Sequence, residues 1–232
     1  MELINRYNRQ IILPEISEEG QKKIRTTKVL LVGVGGLGSP IATYLVGAGI
    51  GHIGIIDDDV VDITNLHRQV LYTEKEAGLP KVECAKRRLQ ALNSELEIDA
   101  YPYRLTKENA HELISSYDIV VDGMDNFMTR YIVSDECKLQ GKPYVYGAIR
   151  GLDGQVAVLC KGHTTYRSLL PDEEATLSMP HPGKAVLGTT PAVVGSVEAC
   201  QVLMLAAEFG EPLIDRLWTV DLSTMMSYVI EM

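Results

Sequence analysis

Lys28-Val-Leu-Leu-Val32-Gly33-Val34-Gly35-Gly36-Leu37-Gly38 decides the fold. Val29 to Val32 is an unbroken apolar run, the pattern of a parallel strand buried on both faces. Glycines follow at 33, 35, 36 and 38, and Leu37, Ile41, Ala42, Leu45 and Val46 then fall on helical spacing. In a strand–turn–helix unit such glycines let backbone approach a phosphate closely. The free N–H groups and dipole of the helix start favour an anion there. A second strand, Ile53 to Ile56, ends at Asp57, where a carboxylate can take ribose hydroxyls.

Outward from this unit the alternation continues. Pro80 opens a helix at a position where its missing N–H costs nothing, with Val82, Ala85, Leu89 and Leu92 as its apolar stripe. Strands are expected at 97–101, 117–121 and 143–146, and helices at 108–114 and 126–139. This βαβα order predicts an α/β protein with a doubly wound, Rossmann-like, mostly parallel sheet. Later the pattern changes to a strand at 154–159, a helix at 191–208 and short strands at 217–221 and 228–230, an antiparallel C-terminal extension. Residues 162–190 are rich in Gly, Pro, Ser and Thr and read as a long mobile loop without structure of its own. The expected organisation is one domain over 1–232: an N-terminal helical segment (1–26), a nucleotide-binding core (27–150) and the extension (151–232).

Composition narrows the function classes. With 22 Lys+Arg against 31 Asp+Glu the net charge is −9, which argues against nucleic acid as a partner. The 46% hydrophobic content argues against disorder. Ile11-Ile12-Leu13 is too short for a secretory signal. The apolar stretch Ala192 to Ala207 is broken by Gly195, Glu198 and Gln201, so it reads as a buried helix rather than a membrane span. Cys84, Cys137, Cys160 and Cys200 form no C-x-x-C pair, and a cytoplasmic setting is expected.

The residues after Asp57 separate two nucleotide chemistries. A dehydrogenase needs a nicotinamide site. Here Asp57-Asp-Asp-Val-Val-Asp-Ile-Thr-Asn-Leu-His-Arg-Gln69 puts carboxylates, an amide and a guanidinium beside the glycine turn. Lys81 opens a helix, where a cation opposes the dipole unless an anion holds it. Asp125, after the strand 117–121, sits where open α/β sheets place ligands. It is read either as a Mg²⁺ ligand or as the N-cap of the helix beginning at Asn126. Such a set suits attack at a nucleotide phosphate, where negative charge on a leaving pyrophosphate must be offset.

Arg6-Tyr-Asn-Arg-Gln-Ile11, the Gly33–Gly38 loop, Asp57 to Gln69, Gly78-Leu-Pro-Lys81 and Asp122-Gly-Met-Asp-Asn126 occur in the order seen in the ThiF/MoeB/HesA family, which this chain resembles from about Arg6 onward. The resemblance implies an adenylyltransferase using ATP and Mg²⁺. Its substrate would be the C-terminal glycine of a ubiquitin-like sulfur carrier ending in Gly-Gly, of the thiamine or molybdopterin kind. By the same resemblance Gly33, Gly35, Gly36 and Gly38 line the nucleotide and Asp57 binds ribose. Asp59, Asn65, Arg68, Gln69 and Lys81 surround the phosphates, and Asp125 holds the metal. Arg9 matches an arginine that the family delivers from the other subunit, which implies a homodimer.

The chain also departs from the family. Many members bind structural zinc through two C-x-x-C pairs. Thr165 and Ser168 stand where the first would fall, so no zinc is expected. No cysteine lies between Cys160 and Cys200, near the His181 position where some members carry one. Cys200 reads as a small buried residue, so a covalent cysteine step is not expected. Other readings are adenylylation of a different carboxylate, an NAD-dependent oxidoreductase and a non-catalytic binding scaffold.

Overall fold

The computed structural model describes residues 3–179 and 185–232. Helices α1 (Leu3–Ile11) and α2 (Ser17–Thr26) lead into β1 (Lys28–Val32), α3 (Gly38–Ala48), β2 (His52–Ile56), α4 (Lys81–Leu92), β3 (Glu97–Tyr101) and α5 (Lys107–Ser115). Then come β4 (Ile119–Asp122), α6 (Phe127–Gln140), β5 (Tyr144–Arg150), β6 (Asp153–Leu159), α7 (Tyr166–Leu169), α8 (Glu173–Ser178), α9 (Thr189–Ala207), β7 (Arg216–Asp221) and β8 (Met226–Glu231). One eight-stranded sheet runs β3-β2-β1-β4-β5-β6-β7-β8. Pairing is parallel from β3 to β5 and antiparallel from β5 to β8. This is the mostly parallel, doubly wound sheet with an antiparallel extension that the alternation predicts.

The parallel strands are continuous in apolar residues because helices cover both faces. Val29 and Leu31 of β1 join Ile53, Ile55, Ile41, Leu45, Val194 and Val202 in one core. Leu30 and Val32 join Val120, Tyr144, Tyr146, Leu113 and Tyr131 in the other. β1 pairs with β2 on one side and β4 on the other, so the strand order reverses there and a crevice opens at the carboxyl ends.

Three expectations need correction. The segment 162–190 is not structureless, since α7 and α8 lie within it. Thr165, Ser168 and Asp172 serve as helix caps. Thr165 and Ser168 hydrogen-bond reciprocally around the start of α7, and the Asp172 side chain accepts from Ala175 N at the start of α8. Arg167 then ties α7 to α6 by a forked pair to Asp135. Second, Cys200 is exposed, not buried, because it falls on the outer side of α9 while Glu198, Ala199, Gln201 and Val202 turn inward. Third, the final strand before the crevice begins at Ile119, so Tyr117 precedes it and packs under Gly54 of β2. By length and hydropathy alone α9 passes for a membrane span, yet it packs against α3, β5 and β6 and buries Glu198 completely.

Candidate active site at the ends of the parallel strands

The crevice is shaped by two glycines. Gly33 has φ +92°, and a Cβ on it would overlap the Gly123 carbonyl; one on Gly123 would overlap the Gly33 carbonyl. Only glycines let the chains leaving β1 and β4 approach so closely. Gly123 N–H donates to Val32 O at 2.7 Å and Gly33 N–H to Ile56 O at 2.8 Å, so the turns after β1, β2 and β4 are stitched together. The loop then enters α3 with Gly35 beside Gln69 and Gly36 between Pro191 and Arg68, while Gly38 packs on the Gly33 carbonyl.

Asp57 closes the turn after β2. Its Oδ2 accepts from Val34 N at 2.8 Å and its Oδ1 from Asp59 N at 2.9 Å. Burial raises its pKa above the ordinary carboxylate range, and the nearby Lys81 charge and these two amides oppose the rise. Lys81 is only 3% exposed, and its Nζ donates to Asp59 Oδ2 at 2.7 Å. The partner answers the question that a lysine at a helix start raises: Asp59 holds its charge. Asp57, Asp58 and Asp59 bring carboxylate oxygens within 4.8 Å of one another. Arg104 Nε donates to Asp58 at 3.2 Å.

Arg68 is braced on two sides. Its Nη2 donates to Asn65 Oδ1 at 2.7 Å, and its Nη1 to His67 Nε2 at 2.8 Å. Gln69 is buried, yet its Oε1 has no hydrogen-bond partner among the described residues. Tyr72 donates from its hydroxyl to Val34 O at 2.7 Å, fixing the glycine loop from below. Thus Gly33, Gly35, Gly36, Gly38, Asp57, Asp59, Asn65, Arg68, Gln69 and Lys81 are brought together by direct contacts.

Asp125 is exposed and makes no hydrogen bond within the described chain. It is not the helix cap. Asn126 fills that place, its Oδ1 accepting from Thr129 N at 2.9 Å. A cavity of about 360 Å³ opens beside it, lined in part by Arg104, Leu105, Thr106, Asn126, Met128 and Ile132.

Arg9 is not brought to this crevice by its own chain. It is exposed on α1, whose Tyr7 packs against Gly49 at the far end of α3 and accepts from Asn93 Nδ2. Eleven residues of helix put that end about 16 Å from the glycine loop. His163 pairs with Asp215 at 2.7 Å, and His181 lies outside the described residues.

Composition and spacing left one buried network unread. Asp122, fully buried at the end of β4, accepts from Arg130 Nε (2.8 Å), Tyr144 OH (2.7 Å) and Met124 N (2.8 Å). Arg130 Nη2 donates to Met124 O and Gly147 O. Together they fix the Asp122–Asn126 loop that carries Asp125. An arginine eight residues beyond an acidic strand end was the available signal.

Residues 7–232 match the ThiF family. The chain is 47% identical over 229 residues to a "Sulfur carrier protein adenylyltransferase" of Thermus thermophilus, covering 95% of this chain and 84% of that one. It is 38% identical to the "SAMP-activating enzyme E1" of Haloferax volcanii, covering 96% of this chain and 83% of that one. It is also 43% identical to "Adenylyltransferase and sulfurtransferase MOCS3" of Arabidopsis thaliana, covering 97% of this chain but 49% of that longer protein. Among solved structures, E. coli MccB with ATP superposes with a TM-score of 0.81 at 24% identity, over 92% of this chain and 66% of that one, a likeness of fold. With its glycine turn, acidic strand end and Asn65–Gln69 segment gathered at one crevice, the chain belongs to the ThiF family.

Proposed function

We propose that this protein uses ATP to adenylylate the C-terminal glycine carboxylate of a ubiquitin-like sulfur carrier protein ending in Gly-Gly. The observation that carries the reading is the convergence of Asp57, Arg68, Gln69 and Lys81 on the glycine loop. The 47% identity to a named sulfur carrier protein adenylyltransferase supports it.

The chemistry follows from the donors present. A carboxylate oxygen attacks the α-phosphorus, the bond to the pyrophosphate oxygen breaks, and an acyl-adenylate forms. No proton need move, because the nucleophile is already an anion. Backbone N–H groups at the start of α3 bind phosphate, and Asp57 takes the ribose. Lys81 and Arg68 offset charge on the reacting and leaving oxygens, already held by Asp59, Asn65 and His67 at little cost in reorganisation. Gln69 sets its donor Nε2 beside Gly35, while its buried Oε1 has no partner among the described residues. The exposed Asp125 carboxylate fits Mg²⁺, a hard cation that takes one or two carboxylates plus phosphate oxygens. When bound, the metal would neutralise developing phosphate charge.

Arg9 sits on its own chain about 16 Å from the glycine loop, so a role for it at the phosphates requires a second copy, and we read the protein as a homodimer. Thr165 and Ser168 are occupied in capping α7, which is in keeping with a chain that carries no zinc ligands at these two positions. ATP–pyrophosphate exchange with purified thiamine-type and molybdopterin-type carriers tests the proposal. Exchange is expected with one intact carrier and not with the same carrier lacking its last glycine. Release of free phosphate, or exchange indifferent to that glycine, would overturn it.

A further inference from the structure

Glu198 is the one acid inside the long apolar helix α9. It is fully buried, and neither carboxyl oxygen has a hydrogen-bond partner among the described residues. An isolated carboxylate in such a place costs several kcal/mol or takes up a proton. Its space is provided by Gly147 of β5, where a Cβ would overlap the Glu198 carboxyl group. The Gly147 carbonyl is the same one that accepts from Arg130 Nη2 at 3.0 Å. Glu198 therefore lies across one glycine from the Asp122–Arg130 pair.

Charge balance assigns the proton. The interior there holds two carboxyl groups and one cation, Arg130. Asp122 accepts three hydrogen bonds, from Arg130, Tyr144 and Met124, and these together with the adjoining Arg130 charge favour its ionised form against the upward push of burial. Glu198 accepts none. The other ionisable group facing it is Tyr146 of β5. Helix α3 contributes only the outward-facing Tyr44, and the β6 residues Gly154, Val156 and Val158 are apolar. The α2 contact brings Lys23 and Glu208, which pair with each other past the end of α9.

We propose that Glu198 is a neutral, proton-carrying positioning residue that keeps Arg130 on Asp122, Met124 and Gly147, and through them holds the Asp122–Asn126 loop. The functional meaning rests on the reading of Asp125 as the metal-holding residue; the structural statement stands without it. Loss of the proton leaves one negative charge uncompensated beside Asp122. It draws Arg130 from its three acceptors and slackens the loop. Burial and the Asp122 charge push the Glu198 carboxyl well above the ordinary range, and Arg130 only partly offsets them.

Amide hydrogen exchange from pH 6 to 9.5 tests this, with the β1 amides of Leu30 and Leu31 as internal reference. In the wild-type chain the Met124 amide, which donates to Asp122, is expected to lose about tenfold in protection relative to β1 on the alkaline side. In Glu198→Gln, which cannot ionise, the ratio should stay flat. Should that variant fold poorly, the wild-type ratio still decides. Equal pH dependence at Met124 and β1 in the wild type, or a loss that persists in Glu198→Gln, overturns the proposal. Because the readout needs neither ATP nor a carrier, its failure is distinct from failure of adenylylation. If adenylylation also holds, the alkaline limb of exchange activity should appear in the Mg²⁺–ATP KM and vanish in Glu198→Gln.

Discussion

The parallel half of the sheet and its antiparallel edge are built from similar strands but face different surroundings. β1, β2 and β4 are buried on both faces, and every site residue except Arg9 hangs from their carboxyl ends or from the segments that follow. β8 is exposed at all six positions, including Tyr228, Val229 and Ile230. In the parallel half, close packing forces glycines and buried polar networks into fixed places, and the chemistry is assembled on that rigid frame. At the edge no helix imposes such order. Substitutions should therefore separate the two regions sharply.

The largest expected effect is at Asp125. It is exposed and makes no hydrogen bond among the described residues, so Asp125→Ala should leave the melting temperature unchanged while exchange activity falls by about two orders of magnitude or more. Near-normal exchange would overturn the proposed role of Asp125 and leave Asp57 to Asp59 as the carboxylate group at the crevice to test next.

Next is the frame itself. In Gly123→Ala the new methyl overlaps the Gly33 carbonyl, backbone against backbone, with no flexible side chain to yield. A loss of about 2–3 kcal/mol is expected in denaturant unfolding. Activity should fall with it, because the same contact sets the glycine loop. A fully stable variant would show that β1 and β4 do not approach so closely.

These expectations also show what could be read beforehand. The glycine turn, Asp57 and the Asn65–Gln69 segment were legible because local sequence dictates strand, turn and helix there. The caps at Thr165 and Asp172 were passed over because composition marked 162–190 as loop, although the same residue types begin helices. Asn126 rather than Asp125 is the cap, a one-residue distinction that spacing does not resolve. The Asp122–Arg130–Glu198 group went unread for another reason. It joins β4, α6 and α9, whose neighbourhood exists only once the sheet is wound.

A third effect, read as a slope with pH, follows for that group. The folded pKa of Glu198 is raised, so its contribution is fully favourable below the unfolded value of about 4.3 and is lost as pH climbs toward the folded one. Glu198→Gln carries no such loss. Its stability relative to wild type should rise by about 1.4 kcal/mol per pH unit from roughly pH 5 upward, then level off. The buried amide adds an offset that does not change with pH, so the slope is the test. A flat difference between pH 5 and 7 would show that Glu198 titrates as an ordinary surface acid.

The smallest effect belongs to the edge. Ile230 pairs with Leu217 of β7 but remains 52% exposed. Ile230→Lys should change stability by less than about 0.5 kcal/mol, since the lysine stem keeps contact and its charge stays in water. The same change at Ile55, fully buried in β2, would unfold the chain. A charge on an edge strand also discourages pairing with another chain. If Ile230→Lys instead lowers the melting temperature strongly, and the loss grows with protein concentration, then a second copy covers β8. The contrast between a packed half and a bare edge would then hold for one protomer only.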